Sequence, residues 1–106
     1  MRYMLLIVEP VGQRSTRTRA EGEEAYARMR RFGDELQARG QLLAVESLAA
    51  TSQATRVQVR GGKRQLLDGP YAEAKEMIGG FFLIDCAGPE EALAIAERCP
   101  AAEWAT

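Results

Sequence analysis

Between Asp68 and Gly80 the chain gathers an acid, a phenol, a second acid, an ammonium and two adjacent glycines: Asp68, Tyr71, Glu73, Lys75, Gly79 and Gly80. A carboxylate such as Asp68 can take a proton or anchor a ligand when it faces a pocket. In a turn after a strand, the same side chain instead accepts hydrogen bonds from nearby backbone N–H groups. Glu73, Lys75 and Glu76 add an acid, a base and a cation suited to a substrate carboxylate, although charged loop residues are more often solvated or paired at the surface. Lys75 is one of two lysines, with Lys63. Tyr71 and Tyr26 can donate hydrogen bonds to a bound oxygen, but helical spacing favours a core position for Tyr26. Gly79-Gly80 allows close approach by a ligand or a neighbouring strand. One more acid lies elsewhere. Glu46 interrupts an apolar strand, and a carboxylate facing a sheet interior must be paired, hydrated or protonated, which makes it a candidate acid/base.

Composition removes several chemistries. There is no histidine, so the usual proximal haem ligand, the commonest metal ligand and any Ser-His or Cys-His pair are missing. Neither a metal nor a cofactor is expected. Cys86 and Cys99 have neither disulfide-framework nor zinc spacing, and they read as two buried thiols in a reducing cytoplasm. The net charge of −1 argues against a general nucleic-acid binder. The charges are nevertheless uneven: residues 1–64 hold 12 basic and 7 acidic side chains, and residues 65–106 hold 2 and 8. Arg14, Arg17 and Arg19 sit on a polar, aperiodic segment that lacks the Gly-rich pattern of a phosphate loop. No apolar run approaches the roughly 20 residues that span a bilayer, and Met1 to Val8 is too short for a signal-peptide core. A cytoplasmic, single-domain chain over residues 1–106 with no membrane partner is the expectation.

The elements that must position these groups follow from periodicity and turn chemistry. Tyr3 to Val8 is an aliphatic strand closed by Glu9-Pro10, and residues 11–19 read as a mobile loop. From Ala20 to Arg39 apolar residues recur at Tyr26, Met29, Phe32, Gly33 and Leu36, a helix with one buried face, capped by Gly40. Leu42 to Ala49 is a second strand. Thr55 to Arg60 and Arg64 to Leu67 form a hairpin about Gly61-Gly62. Met77 to Cys86 contains Phe81-Phe82-Leu83-Ile84, the pattern of a central strand buried on both faces. Pro89, Glu90 and Glu91 open a second helix that Pro100 ends, and Ala102 to Thr106 reads as a last short strand.

The order β-α-β-β-β-α-(β) predicts a ferredoxin-like α+β sandwich with an extra hairpin and a two-helix layer on an antiparallel sheet. The strands are apolar in both parities, at Leu5, Leu6 and Ile7 and at Phe81 through Ile84. The second sheet face therefore needs a cover, and a second copy supplies one, forming a dimeric α+β barrel.

Asp68-Gly69-Pro70-Tyr71-Ala72-Glu73-Ala74-Lys75-Glu76, followed by Ile78-Gly79-Gly80-Phe81-Phe82-Leu83-Ile84, resembles the signature of the YCII-related, DGPF-domain family, with Tyr71 in place of the usual Phe. Tyr3 to Ile7, Gly40 with Glu46 and Leu48, and Ala54 to Arg60 agree with other parts of that pattern. The resemblance implies the ferredoxin-like fold and the dimeric barrel. It also implies either cofactor-independent lyase or isomerase chemistry on small muconate-type acids, or an accessory role beside sigma factors. Some relatives carry a helix-1 His paired with an Asp. Met29 stands at that His position, so that pair is not carried over. The chain also ends before the family's usual closing strand.

Three functions follow as expectations. One is a lyase or isomerase on a small acidic metabolite, with Asp68, Glu46 and Lys75 as catalytic groups and Tyr71, Glu73, Gly79 and Gly80 as ligand contacts. The second is a non-catalytic small-ligand or regulatory module. The third is a structural dimer.

Overall fold

A computed structural model describes residues 1–68 and 75–105. Five strands, β1 (Arg2–Pro10), β2 (Leu42–Ser47), β3 (Thr55–Arg60), β4 (Lys63–Asp68) and β5 (Glu76–Asp85), accompany two helices, α1 (Arg19–Ala38) and α2 (Pro89–Arg98). The apolar run of β5 takes the central position of a three-stranded antiparallel sheet ordered β1-β5-β2. Strands β3 and β4 pair only with each other, as a separate hairpin. This is the ferredoxin-like α+β arrangement, with the hairpin inserted between β2 and β5.

Alternation along β5 decides where the core forms. Phe82 and Ile84 point under the helices, where they meet Phe32 and Leu36 of α1 and Ala92 and Ile95 of α2. Phe32 and Phe82 pack edge to face with ring centroids 5.1 Å apart, the geometry that aromatic quadrupoles favour. Gly33 makes this approach possible, because a Cβ there would stand 3.4 Å from the Phe82 ring. The opposite parity is only half covered. Phe81 and Leu83 of β5 are partly exposed, and Met4 and Leu6 of β1 are exposed at 51% and 49%. Within one chain, β5 is thus buried on one face and partly open on the other.

Local chemistry sets the element ends. Thr18 caps α1 by accepting from the Glu21 N–H, while the Glu21 side chain accepts from the Thr18 N–H. At the other end Gly40 adopts φ 71°. Its N–H bonds the Gln37 carbonyl and the next N–H, of Gln41, bonds Leu36, the Schellman pattern that needs a left-handed residue. Gly61 and Gly62 take φ 58° and 77°, the pair of positive angles that tight hairpin turns require.

Three expectations are corrected. Residues 100–103 form a 3-10 turn that takes the start of the strand expected over Ala102 to Thr106, because the chain turns extended at Cys99 after α2 and Pro100 then opens a new tight turn. Among the described residues the outer edge of β1 therefore has no closing strand. The segment expected to be a mobile loop is folded, with a 3-10 turn at Gln13–Thr16 and the Arg14 guanidinium bonded to three separate groups. Tyr26 is not a core residue, since it is 65% exposed.

The radius of gyration is 16.1 Å, against about 13 Å for a compact chain of this length. The hairpin accounts for the difference in kind, since Val57, Val59 and Leu66 on one of its faces are all more than half exposed.

At the junction of β1 and β5 the register shifts between Ile7 and Val8, opposite Gly79-Gly80. A Cβ on Gly80 would stand 2.6 Å from the Glu46 backbone oxygen, and one on Gly79 would stand 2.6 Å from the Glu9 carboxyl. Backbone cannot yield as a side chain can. Gly80→Ala is therefore expected to destabilise by about 1–3 kcal/mol, through overpacking, and Gly79→Ala by less. Gly22→Ala, in open space on α1, is expected to stabilise by roughly 0.4–1 kcal/mol. Urea denaturation of the three variants checks the order.

Candidate functional site

A cleft of about 850 Å³ lies between α1 and the sheet. One helical stripe supplies its roof: Gly22, Ala25, Tyr26, Met29, Gly33 and Gln37 recur at three- and four-residue spacing and all line it, as side chains on one face of a helix must. Gly22, Ala25 and Gly33 are small, so the helix leaves space instead of filling it. Ile7 of β1, Leu42 and Val45 of β2 and Phe82 of β5 provide apolar walls on the sheet side. Polar groups concentrate at the rim, with Arg14, Arg17, Arg19, Arg30, Asp34, Ser47 and Trp104.

Arg14 is committed to structure. Its Nε donates to Glu9 Oε1 at 2.8 Å, one terminal nitrogen donates to the Leu48 carbonyl at 2.7 Å and the other to the Gly79 carbonyl at 2.9 Å. The Glu9 side chain is only 14% exposed, and it occupies the space that the missing Gly79 side chain leaves. A guanidinium with all its faces matched to acceptors in this way braces the cleft.

Trp104 closes one end. The Gln13 amide donates to its carbonyl at 2.8 Å. The Arg17 and Arg28 guanidinium carbons lie 5.4 Å and 5.5 Å from its ring centroid, both within cation–π range. Arg28 also pairs with Glu103 at 2.8 Å. That bond holds the Glu103 carboxyl below its usual value and raises Arg28 above its own.

The expected site residues fall in different places. Gly79 and Gly80 are buried and line the cleft; their close neighbours in the chain are the Glu9 carboxyl and the β2 backbone. Glu46 also lines it, at the β2 edge. Its register partner is Phe81, which in turn pairs with Leu6. Directly paired residues share a face, so the Glu46 side chain belongs with Leu6 and Phe81 on the open side of the sheet. Asp68 is exposed, ends β4 and pairs with Thr55; the rest of its expected turn lies outside the described residues. Lys75 is exposed, and its carbonyl accepts from the Val11 N–H at 2.8 Å. Neither Asp68 nor Lys75 lines the cleft. Tyr71 and Glu73 lie outside the described residues.

Sequence reasoning did not single out Glu9, Arg30, Asp34, Ser47 or Trp104. The signal for Arg30 and Asp34 was present, since they follow Tyr26 and Met29 on the same helical stripe. Glu9 and Trp104 are brought in by the sheet register and by the 3-10 turn, which leave no local mark.

The Glu103 carboxyl, lowered in the folded state, supports the Arg28 pair above the ordinary glutamate range and loses it as pH falls through the depressed value. Trp104 fluorescence is therefore expected to change on acidification below that range. Glu103→Gln should remove the transition, as a pH titration of each protein would record.

A search for relatives finds an uncharacterised protein of Rhizobium meliloti that is 44% identical over 54 residues, a stretch covering 51% of this chain and 44% of the relative. The chain thus matches less than half the length of that relative. The profile of the YCII-related domain matches residues 1–106. With the DGPF-like segment leading into β5, this places the chain in the YCII-related domain family.

Proposed function

We propose that the protein binds a small organic acid in the α1–sheet cleft and does so as a homodimer. The cleft is the observation that carries the reading. Its volume of about 850 Å³ falls within the roughly 300–1,000 Å³ of small-molecule sites. Its walls are apolar, and its lining holds four arginines against three acids, Glu9, Asp34 and Glu46, with Glu9 already paired to Arg14; the cations left at the rim favour an anion with a hydrocarbon body. Arginine stays charged at any physiological pH and presents a planar fork to carboxylates, so this rim is suited to holding an acid. A ligand-responsive accessory or regulatory role is compatible with such a site.

Support for the dimer comes from the open sheet face. Met4, Leu6, Phe81 and Leu83 occupy it side by side, and Ile78 adds a further exposed apolar group at 45%. Contiguous exposed apolar surface of this kind marks a contact site. A second copy is the simplest cover, since its own open face offers the same surface for a two-fold contact. The unpacked hairpin, with Val57, Val59 and Leu66 exposed, extends the surface such a copy would meet.

The dimer also favours a second reading, the lyase or isomerase. Glu46 lies among Leu6 and Phe81 on the face that a second copy would enclose. A carboxylate there can act as acid or base once water is excluded. Asp68 and Lys75, both outside the cleft, have weaker claims to the catalytic roles given them on sequence grounds.

Two measurements test these readings. Leu6→Glu is expected to convert the dimer to monomer in sedimentation velocity, because it costs about 1.5–3 kcal/mol of apolar burial per copy and adds a charge; a wild-type monomer would refute the dimer. Calorimetric titration with a saturated dicarboxylate such as adipate should give equal affinities for the wild type, Asp68→Asn and Lys75→Ala, and a weaker one for Arg30→Ala. With cis,cis-muconate, recovery of the unchanged acid would favour the binding module. Turnover abolished by Glu46→Gln would favour the enzyme.

A further inference from the structure

Of the four arginines at the cleft rim, Arg17 and Arg30 have no carboxylate within 4.0 Å among the described residues, and of these two only Arg17 is held over an aromatic ring. Arg14 has spent its donors on Glu9, Leu48 and Gly79, and Arg19 pairs with Glu23 at 3.1 Å. Arg17 lines the cleft and stacks over the Trp104 ring, and among the described residues no carboxylate pairs with it within 4.0 Å. A stacked guanidinium has lost much of its rotamer freedom, yet the donors around its edge remain available. Holding a long, flexible side chain in place is one of the main entropic costs of making a charge-assisted hydrogen bond. Here the indole ring meets part of that cost before any ligand arrives.

We propose that Arg17, held over Trp104, is the anchor for the carboxylate of the cleft ligand, with Trp104 forming the wall beside it. The assignment rests on the cleft reading above and adds which group recognises the acid. Arg28 supplies the internal comparison. It stacks on the same ring at nearly the same distance, but it is bound to Glu103 and does not line the cleft. If the two cation–π contacts serve only to fix the C-terminal segment, the two arginines are equivalent. If Arg17 recognises the ligand, they are not.

Trp104 is the single tryptophan, so its fluorescence reports on this end of the cleft alone. The probes are the straight-chain dicarboxylates from malonate to suberate and the diamide of each. Affinity is read by calorimetry and location by Trp104 fluorescence, on the wild type, Arg17→Ala, Arg17→Gln and Arg28→Ala. At least one diacid is expected to bind and to change the Trp104 signal, with its diamide weaker by about tenfold or more, the worth of a charge-assisted pair. Both Arg17 variants should lose affinity by a similar factor, and Arg28→Ala should retain it. Using two Arg17 variants, each checked for an intact melting transition, separates loss of binding from loss of fold. Undiminished binding in both Arg17 variants, or an equal loss in Arg28→Ala, would overturn the anchor and leave the cleft reading standing, whereas equal binding of diacid and diamide would overturn both. A series in which no member binds would remove the cleft reading and the anchor together.

Discussion

The guanidinium of Arg14 ties together the ends of three strands. It bonds the Glu9 carboxylate near the end of β1, the Leu48 carbonyl just past β2 and the Gly79 carbonyl within β5. Each acceptor lies where the regular ladder falters, and the Leu48 N–H bonds back to the Gly79 carbonyl at 2.8 Å. Partly buried backbone oxygens need donors, and one planar side chain satisfies two of them while neutralising a largely buried carboxylate. The rest of the site depends on this junction. At the same register shift Gly79 and Gly80 line the cleft, and their lack of side chains lets the Glu9 carboxyl and the β2 backbone close in against β5.

The helix layer works by omission in the same way. Gly22, Ala25 and Gly33 lie on the α1 stripe that faces the sheet, and Gly33 admits the Phe82 ring at van der Waals distance. Toward the C-terminal half of α1, large residues complete the contact: Phe32 and Leu36 close against Phe82 and Ile84. Toward the N-terminal half the small residues leave the space between helix and sheet unfilled. The cleft therefore opens at the end where the arginines and Trp104 collect. Packing and access are thus two ends of a single helix.

Much of this was legible in the residues. The apolar period of 20–39, the Gly40 cap, the Gly61-Gly62 turn and the unbroken apolar run at Phe81 to Ile84 each impose one local geometry, and each forms as expected. The two-parity apolar pattern of β1 and β5 likewise led to an open face in the folded chain. The closing strand failed because Pro100, read only as a helix stop, begins a 3-10 turn that uses the next alanines. The candidate site was less legible. Asp68 and Lys75 belong to the signature motif in sequence, but Asp68 at the end of β4 and Lys75 just before β5 both stand outside the cleft. Glu46 was singled out for interrupting an apolar strand, and the pairing with Phe81 shows why: it stands on the face that remains open. Arg14 was discounted as part of a mobile loop because its three acceptors come from positions 9, 48 and 79, which no local pattern connects.

The two faces of the sheet divide the available chemistry. Under the helices most charged groups are guanidiniums, which cannot exchange protons at ordinary pH; of the carboxylates there Glu9 is tied to Arg14 and Asp34 stands at the rim, and Met29 puts a thioether on the cleft wall. That side can recognise an anion and exclude water from its apolar part, but its means of moving a proton are few. On the open side stands Glu46, a titratable group among Leu6 and Phe81. In the proposed function, binding and the Glu46 carboxylate thus fall on opposite sides of a sheet one layer thick. A reaction on the bound acid would need the ligand to reach past the edge of β2, where Glu46 and Ser47 meet the cleft. A ligand confined beneath α1 would be held without being changed, and that separation is the physical reason the binding reading stands ahead of the catalytic one.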